Sequence, residues 1–143
     1  MTTEPPRWIY RLENYARACA RLRAAMDIFR ERARTDLERE GVVQRFEYTW
    51  ELGWKLLRDY LDFSGAAPAT ITPAAVIRAA FAANLIEDGD VWMAALDARN
   101  RIAHTYDQAT FDRIVRDIVE RFFDPLQALL MSMQARAVEG SHG

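Results

Sequence analysis

The sequence predicts an all-α fold, an antiparallel bundle of four main helices plus one short helix. Three observations carry that prediction. Apolar residues recur every three or four positions along most of the chain, no segment sustains the period-two alternation of a strand, and the connections between periodic segments are short. A chain of 143 residues fits a single domain with one core, residues 1–143, with flexible tails expected at 1–7 and 138–143.

The first helix is set by Ile9, Leu12, Ala16, Cys19, Leu22, Met26, Phe29, Ala33 and Leu37, which share one face at helical spacing, while Arg17, Arg21, Arg23, Glu31, Arg32 and Glu38 lie opposite. Gly41 offers a stop. A second helix follows through Val43, Phe46, Trp50, Gly53, Leu57 and Leu61. It also carries Tyr48, Leu52, Trp54, Leu56 and Tyr60, an apolar coverage wider than one core needs, so some of Tyr48, Trp50, Trp54 and Tyr60 are expected to line a subunit interface rather than the core. SGAAPATITP, residues 64–73, is the clearest break, and Thr72-Pro73 supplies an N-cap followed by proline at the first helical position. The short third helix runs through Val76, Ile77, Ala80 and Phe81 to end near Asn84. Asp88 or Asp90 caps a fourth with Val91, Trp92, Ala95 and Leu96. Thr110 is expected to cap the fifth, which presents Phe111, Ile114, Val115, Ile118, Phe122, Leu126, Leu129 and Met133, and Pro125 is expected to kink or break it.

Composition narrows the function. The chain is half hydrophobic and 28% charged, with a net charge of −2, which is globular and lacks the basic excess of a protein that grips nucleic acid mainly through phosphates. No apolar run approaches the roughly 20 residues of a membrane span and the N-terminus has no signal core, so a soluble cytoplasmic protein with no membrane contact is expected. Cys19 is the sole cysteine, placed where an apolar stripe wants a small hydrophobe. There is no glycine-rich phosphate loop, no Cys or His cluster at metal-ligand spacing and no Gly-x-Ser-x-Gly elbow. No cofactor or metal is implied. His142, in the VEGSHG end, is expected to be solvated.

What remains is RNRIAHTYD, Arg99–Asp107. Asn100 and His104 share a helix face, whereas Arg99 and His104 point about 140° apart unless the helix ends between them. If it does, a guanidinium able to clamp a phosphate and an imidazole able to move a proton can face one space. Those are the parts for cleaving RNA through its own 2′-hydroxyl without a metal. An arginine and a histidine capping a helix C-terminus would have the same spacing. Because such cleavage wants two proton-transfer groups and the body of the chain holds one histidine, a nuclease reading demands a two-fold dimer with the site between subunits. Glu47 and Asp97 are candidates to support it from adjacent helices.

RNRIAHTYD resembles the R-x4-H-x-Y motif of HepT-like proteins in the HEPN superfamily, most closely the branch named nucleotidyltransferase substrate-binding proteins. The resemblance also covers QRFEYTWELGWKLLRDYL at 44–61, TPAAVIRAAFAANLIEDGDVW at 72–92 and the LDARN leading into the motif. It implies a helical homodimer with Arg99 and His104 as a nuclease pair at a cleft between protomers. It further implies Asn100 and Arg101 as binding or supporting residues and Tyr106 as the tyrosine that a cognate minimal nucleotidyltransferase, the antitoxin, modifies with AMP. The branch carries a second implied role, a non-catalytic subunit that binds a nucleotide or other substrate for the nucleotidyltransferase. The two implied roles differ in whether this chain is an enzyme.

Overall fold

The structure, a computed structural model, describes residues 4–31, 35–104 and 107–142. Among these no strand occurs, and the helices run α1 (Arg7–Glu31), α2 (Asp36–Ser64), α3 (Pro73–Ala82), α4 (Gly89–Ile102), α5 (Gln108–Asp117), a π-helical turn (Ile118–Phe122) and α6 (Phe123–His142). The last three follow one another without a break, so the bundle has four main helical paths and the short α3, as the periodicity predicted.

α1 and α2 pack antiparallel: Arg11 meets Asp59, Thr49 donates to the Ala18 carbonyl, and Arg45 donates to the Arg21 carbonyl. The π-helical turn and α6 also run antiparallel to α1, with Tyr15 bonded to Leu126 of α6 and Arg30 to Val119 of the turn. The stripe foreseen on α2 is buried throughout, and Phe46 stacks on Phe122 at 5.6 Å between centroids. Of the four aromatics singled out on this helix, Trp50 and Trp54 belong to this core, Tyr60 is partly buried against it, and Tyr48 alone is mostly exposed, at 58%. Cys19 is buried as expected, and burial pushes its thiol up to about 11.

Two boundaries differ from the sequence reading, and Pro125 lies just after an irregular turn without ending the helix. Gly41 does not stop a helix but lies inside α2, because Thr35 and Glu38 form a reciprocal capping box that starts the helix earlier. Leu37 consequently falls on α2 and is 78% exposed, while Ala33 lies outside the described residues. The cap of α5 is Asp107, whose carboxylate accepts from the Ala109 and Thr110 amides; Thr110 is inside the helix and donates its own hydroxyl to Asp107. Pro125 does not break the last helix. Proline has no N–H and crowds the carbonyl four residues back, and here the irregularity is taken up by the preceding wide turn, in which the Phe123 amide bonds to Ile118 five residues back. Arg30 of α1 donates to the Val119 carbonyl of that turn at 3.3 Å.

The expected cap at Thr72 is present, its hydroxyl accepting from the Ala75 amide with Pro73 at the first helical position. Asp88 occupies the N-cap position of α4 without a side-chain capping bond. α6 extends to His142, into the stretch expected as a tail.

Candidate functional site

α4 presents Trp92, Ala95 and Ala98 to the core, and this fixes where the rest of the helix points. One position beyond Ala98, Arg99 is half-buried and reaches across to α2. Its Nη2 donates to Glu51 Oε2 at 2.7 Å, and the two side chains are 32% and 31% exposed. Its Nη1 donates to Asn100 Oδ1 at 3.3 Å, and its guanidinium carbon lies 5.5 Å from the centroid of the fully buried Trp50 ring. One cation is thereby held by an acidic partner, an amide oxygen and an aromatic ring.

Glu51 is itself shared. Its Oε1 lies 3.5 Å from Lys55 Nζ, one turn further along α2. One turn earlier, Glu47 has its carboxyl pushed up from 4.5 by partial burial, with the Arg99 charge opposing that shift. Glu47, Glu51 and Lys55 therefore stand at four-residue steps along α2, and Glu51 is the one paired with Arg99.

The remaining motif residues separate. Arg101 is exposed, with its Nε 3.1 Å from Asp97 Oδ2 on the same helix. His104 stands exposed in the turn that follows α4, its amide donating to the Arg101 carbonyl at 3.0 Å. The helix does end between Arg99 and His104, the condition under which both can face one space. Arg99 and Arg101 occupy the last turn of α4, where cations complement the negative end of the helix dipole. Tyr106, the expected modification site, lies outside the described residues. Among the described residues no group of three or more His, Cys, Asp or Glu side chains is arranged to hold a metal ion, and no helix is long and apolar enough to cross a membrane.

Glu51 is the functional residue that sequence reasoning does not single out, although it singles out its neighbour Glu47. The signal was present in EYTWELGWK, where Glu47, Glu51 and Lys55 stand at four-residue spacing. That spacing shows a charged stripe but does not show which arginine lies across from it. Asp97, the other candidate supporter, serves Arg101 rather than Arg99.

The chain resembles known proteins over most of its length. The profile of the family described as "Nucleotidyltransferase substrate binding protein like" matches residues 10–135. The "Probable ribonuclease HepT" of Haemophilus influenzae is 34% identical over 71 residues, which are 48% of this chain and 49% of that protein, so the match spans about half the relative's length. Among solved structures, a Haemophilus influenzae protein described as having the fold of a substrate binding domain of a nucleotidyltransferase superposes with a TM-score of 0.76 at 23% identity, covering 86% of this chain and 98% of its own. A tri-AMPylated Shewanella oneidensis HEPN toxin, in complex with its MNT antitoxin, superposes with a TM-score of 0.69 at 14% identity over 90% and 96% of the two chains. At these identities both superpositions establish a shared helical fold.

Proposed function

Because the chain belongs to the nucleotidyltransferase substrate binding protein-like family, we propose that it is a HepT-like toxin that pairs with a minimal nucleotidyltransferase antitoxin and cleaves RNA without a metal. The observation that carries this reading is the end of α4. Arg99 is fixed at the helix terminus by Glu51, Asn100 and Trp50, and the exposed imidazole of His104 stands in the turn immediately beyond it.

The chemistry asked of these groups is modest. Arg99 holds the scissile phosphate and stabilises the charge that gathers on it. His104 takes the proton of the RNA 2′-hydroxyl, the 2′-oxygen attacks phosphorus, and the bond to the 5′-oxygen breaks, leaving a cyclic phosphate and a 5′-hydroxyl. The leaving oxygen needs a proton from a second donor. A second protomer's imidazole supplies it if two copies meet at the α4 ends, with Asn100 and Arg101 contributing to RNA binding. Adenylylation of Tyr106 by the antitoxin, with loss of pyrophosphate from ATP, adds a bulky anion two residues from His104 and closes the site.

A second reading is favoured by two observations: Glu51 already pairs with Arg99, and the chain as a whole is acidic. On that reading the chain is a non-catalytic subunit that presents a nucleotide or other substrate to the nucleotidyltransferase. Expression of the chain alone in a bacterial host, beside His104→Ala at equal level, separates the two. Growth arrest relieved by the substitution is the expected result for the nuclease; equal growth of both cultures favours the binding subunit. Light scattering at micromolar concentration should give a dimer, and a monomer would remove the composite site.

A further inference from the structure

We propose that Glu51 is a positioning residue for Arg99, one that fixes the guanidinium for turnover while weakening its hold on the substrate phosphate. The proposal rests on the nuclease reading above and adds to it a residue outside the R-x4-H motif.

Three contacts support it. The 2.7 Å ion pair to Glu51 engages Nη2, Asn100 engages Nη1, and the Trp50 ring lies 5.5 Å from the guanidinium carbon. An arginine side chain has many rotamers, and one held on both terminal nitrogens and over a ring has given up most of that freedom before substrate arrives. Glu51 is placed to do this because Lys55 holds its other oxygen at 3.5 Å and because α2 is rigid here, with Trp50, Leu52, Gly53 and Trp54 all buried.

The same carboxylate works against phosphate binding. It sits on the cation that has to meet the phosphate, and Glu47 adds a second carboxyl beside Arg99, one turn away. Anchoring and repulsion thus act on different kinetic quantities. Removing the charge of Glu51 frees Arg99 as a cation, which lowers KM, and releases it as a mobile one, which lowers kcat.

The test compares the wild type, Glu51→Gln, Glu51→Asp and His104→Ala on a fluorescently labelled single-stranded oligoribonucleotide. The expected result for Glu51→Gln is a kcat lower by about tenfold with KM unchanged or lower, on the scale that loss of orientation costs an enzyme. Glu51→Asp keeps the charge but draws it back by one methylene, so its KM should stay near wild type while kcat falls. Parallel loss of kcat and of thermal stability, or an unchanged kcat in Glu51→Gln, overturns the positioning role and leaves the nuclease reading standing. A wild type that cleaves no more RNA than His104→Ala overturns both. NMR relaxation of the Arg99 Nε–H gives a readout independent of turnover: it should report a restrained side chain in the wild type and a mobile one in Glu51→Gln, and equal mobility in the two contradicts the proposal.

Discussion

The buried phenol of Tyr15 donates a 2.6 Å hydrogen bond to the main-chain carbonyl of Leu126, joining α1 to α6 across 111 residues of sequence. Tyr15 is fully buried, and burial holds its hydroxyl well above the usual phenol range, which favours the protonated donor. Tyr15→Phe keeps the ring and removes the bond. It should cost about 1–2 kcal/mol, read as a lower midpoint in urea at an unchanged slope. An unchanged midpoint would mean that the bond adds nothing over packing.

Two glycines of α2 should respond oppositely to alanine. A Cβ at Gly41 meets nothing within 4 Å, so Gly41→Ala should stabilise by about 0.5–1 kcal/mol through helix propensity alone. A Cβ at Gly53 meets Tyr15 Cε1 at 3.1 Å and Trp92 Cη2 at 3.3 Å, both on buried rings with little room to move. Overpacking of about 1–3 kcal/mol there outweighs a helix gain of about 1 kcal/mol. Calorimetry should therefore show Tm rising for Gly41→Ala and falling for Gly53→Ala, and a rise in both would show that α1 and α4 yield at this contact.

The cap of α5 predicts a pH dependence. The Thr110 hydroxyl and then the Ala109 and Thr110 amides hold the Asp107 carboxyl below its ordinary value of 3.8. A depressed folded value means that the ionised cap stabilises the fold above 3.8 and that this contribution is lost as pH falls through the lower folded value. The Tm difference between wild type and Asp107→Ala should be constant near neutral pH and shrink on acidification below about pH 4. A difference that stays constant into strong acid would contradict the assignment of Asp107 as the cap.

The comparison of sequence with structure turns on which signals are local. Val43, Phe46, Trp50, Gly53, Leu57 and Leu61 could be placed on one buried face because helical period is a property of the segment itself, and Thr72-Pro73 marked a helix start because a cap and a fixed φ act within a single turn. Where two local signals competed, reading one alone misplaced the boundary. The Thr35–Glu38 capping box prevailed over Gly41, and Asp107 prevailed over Thr110, because each satisfies backbone amides that would otherwise be left unpaired at a helix start.

Arg99 was legible as a candidate from its residue type and its place near the end of a helix, whereas its partner was not. Glu51 lies 48 positions away on a different helix, and its meeting with Arg99 depends on how far α2 and α4 rotate about their own axes when their apolar faces are buried. Hydrophobic period sets which face of each helix turns inward. The packed bundle alone decides which charges on the flanks of those faces come within 3 Å, because that depends on the register between helices, set by the shapes of the side chains wedged between them.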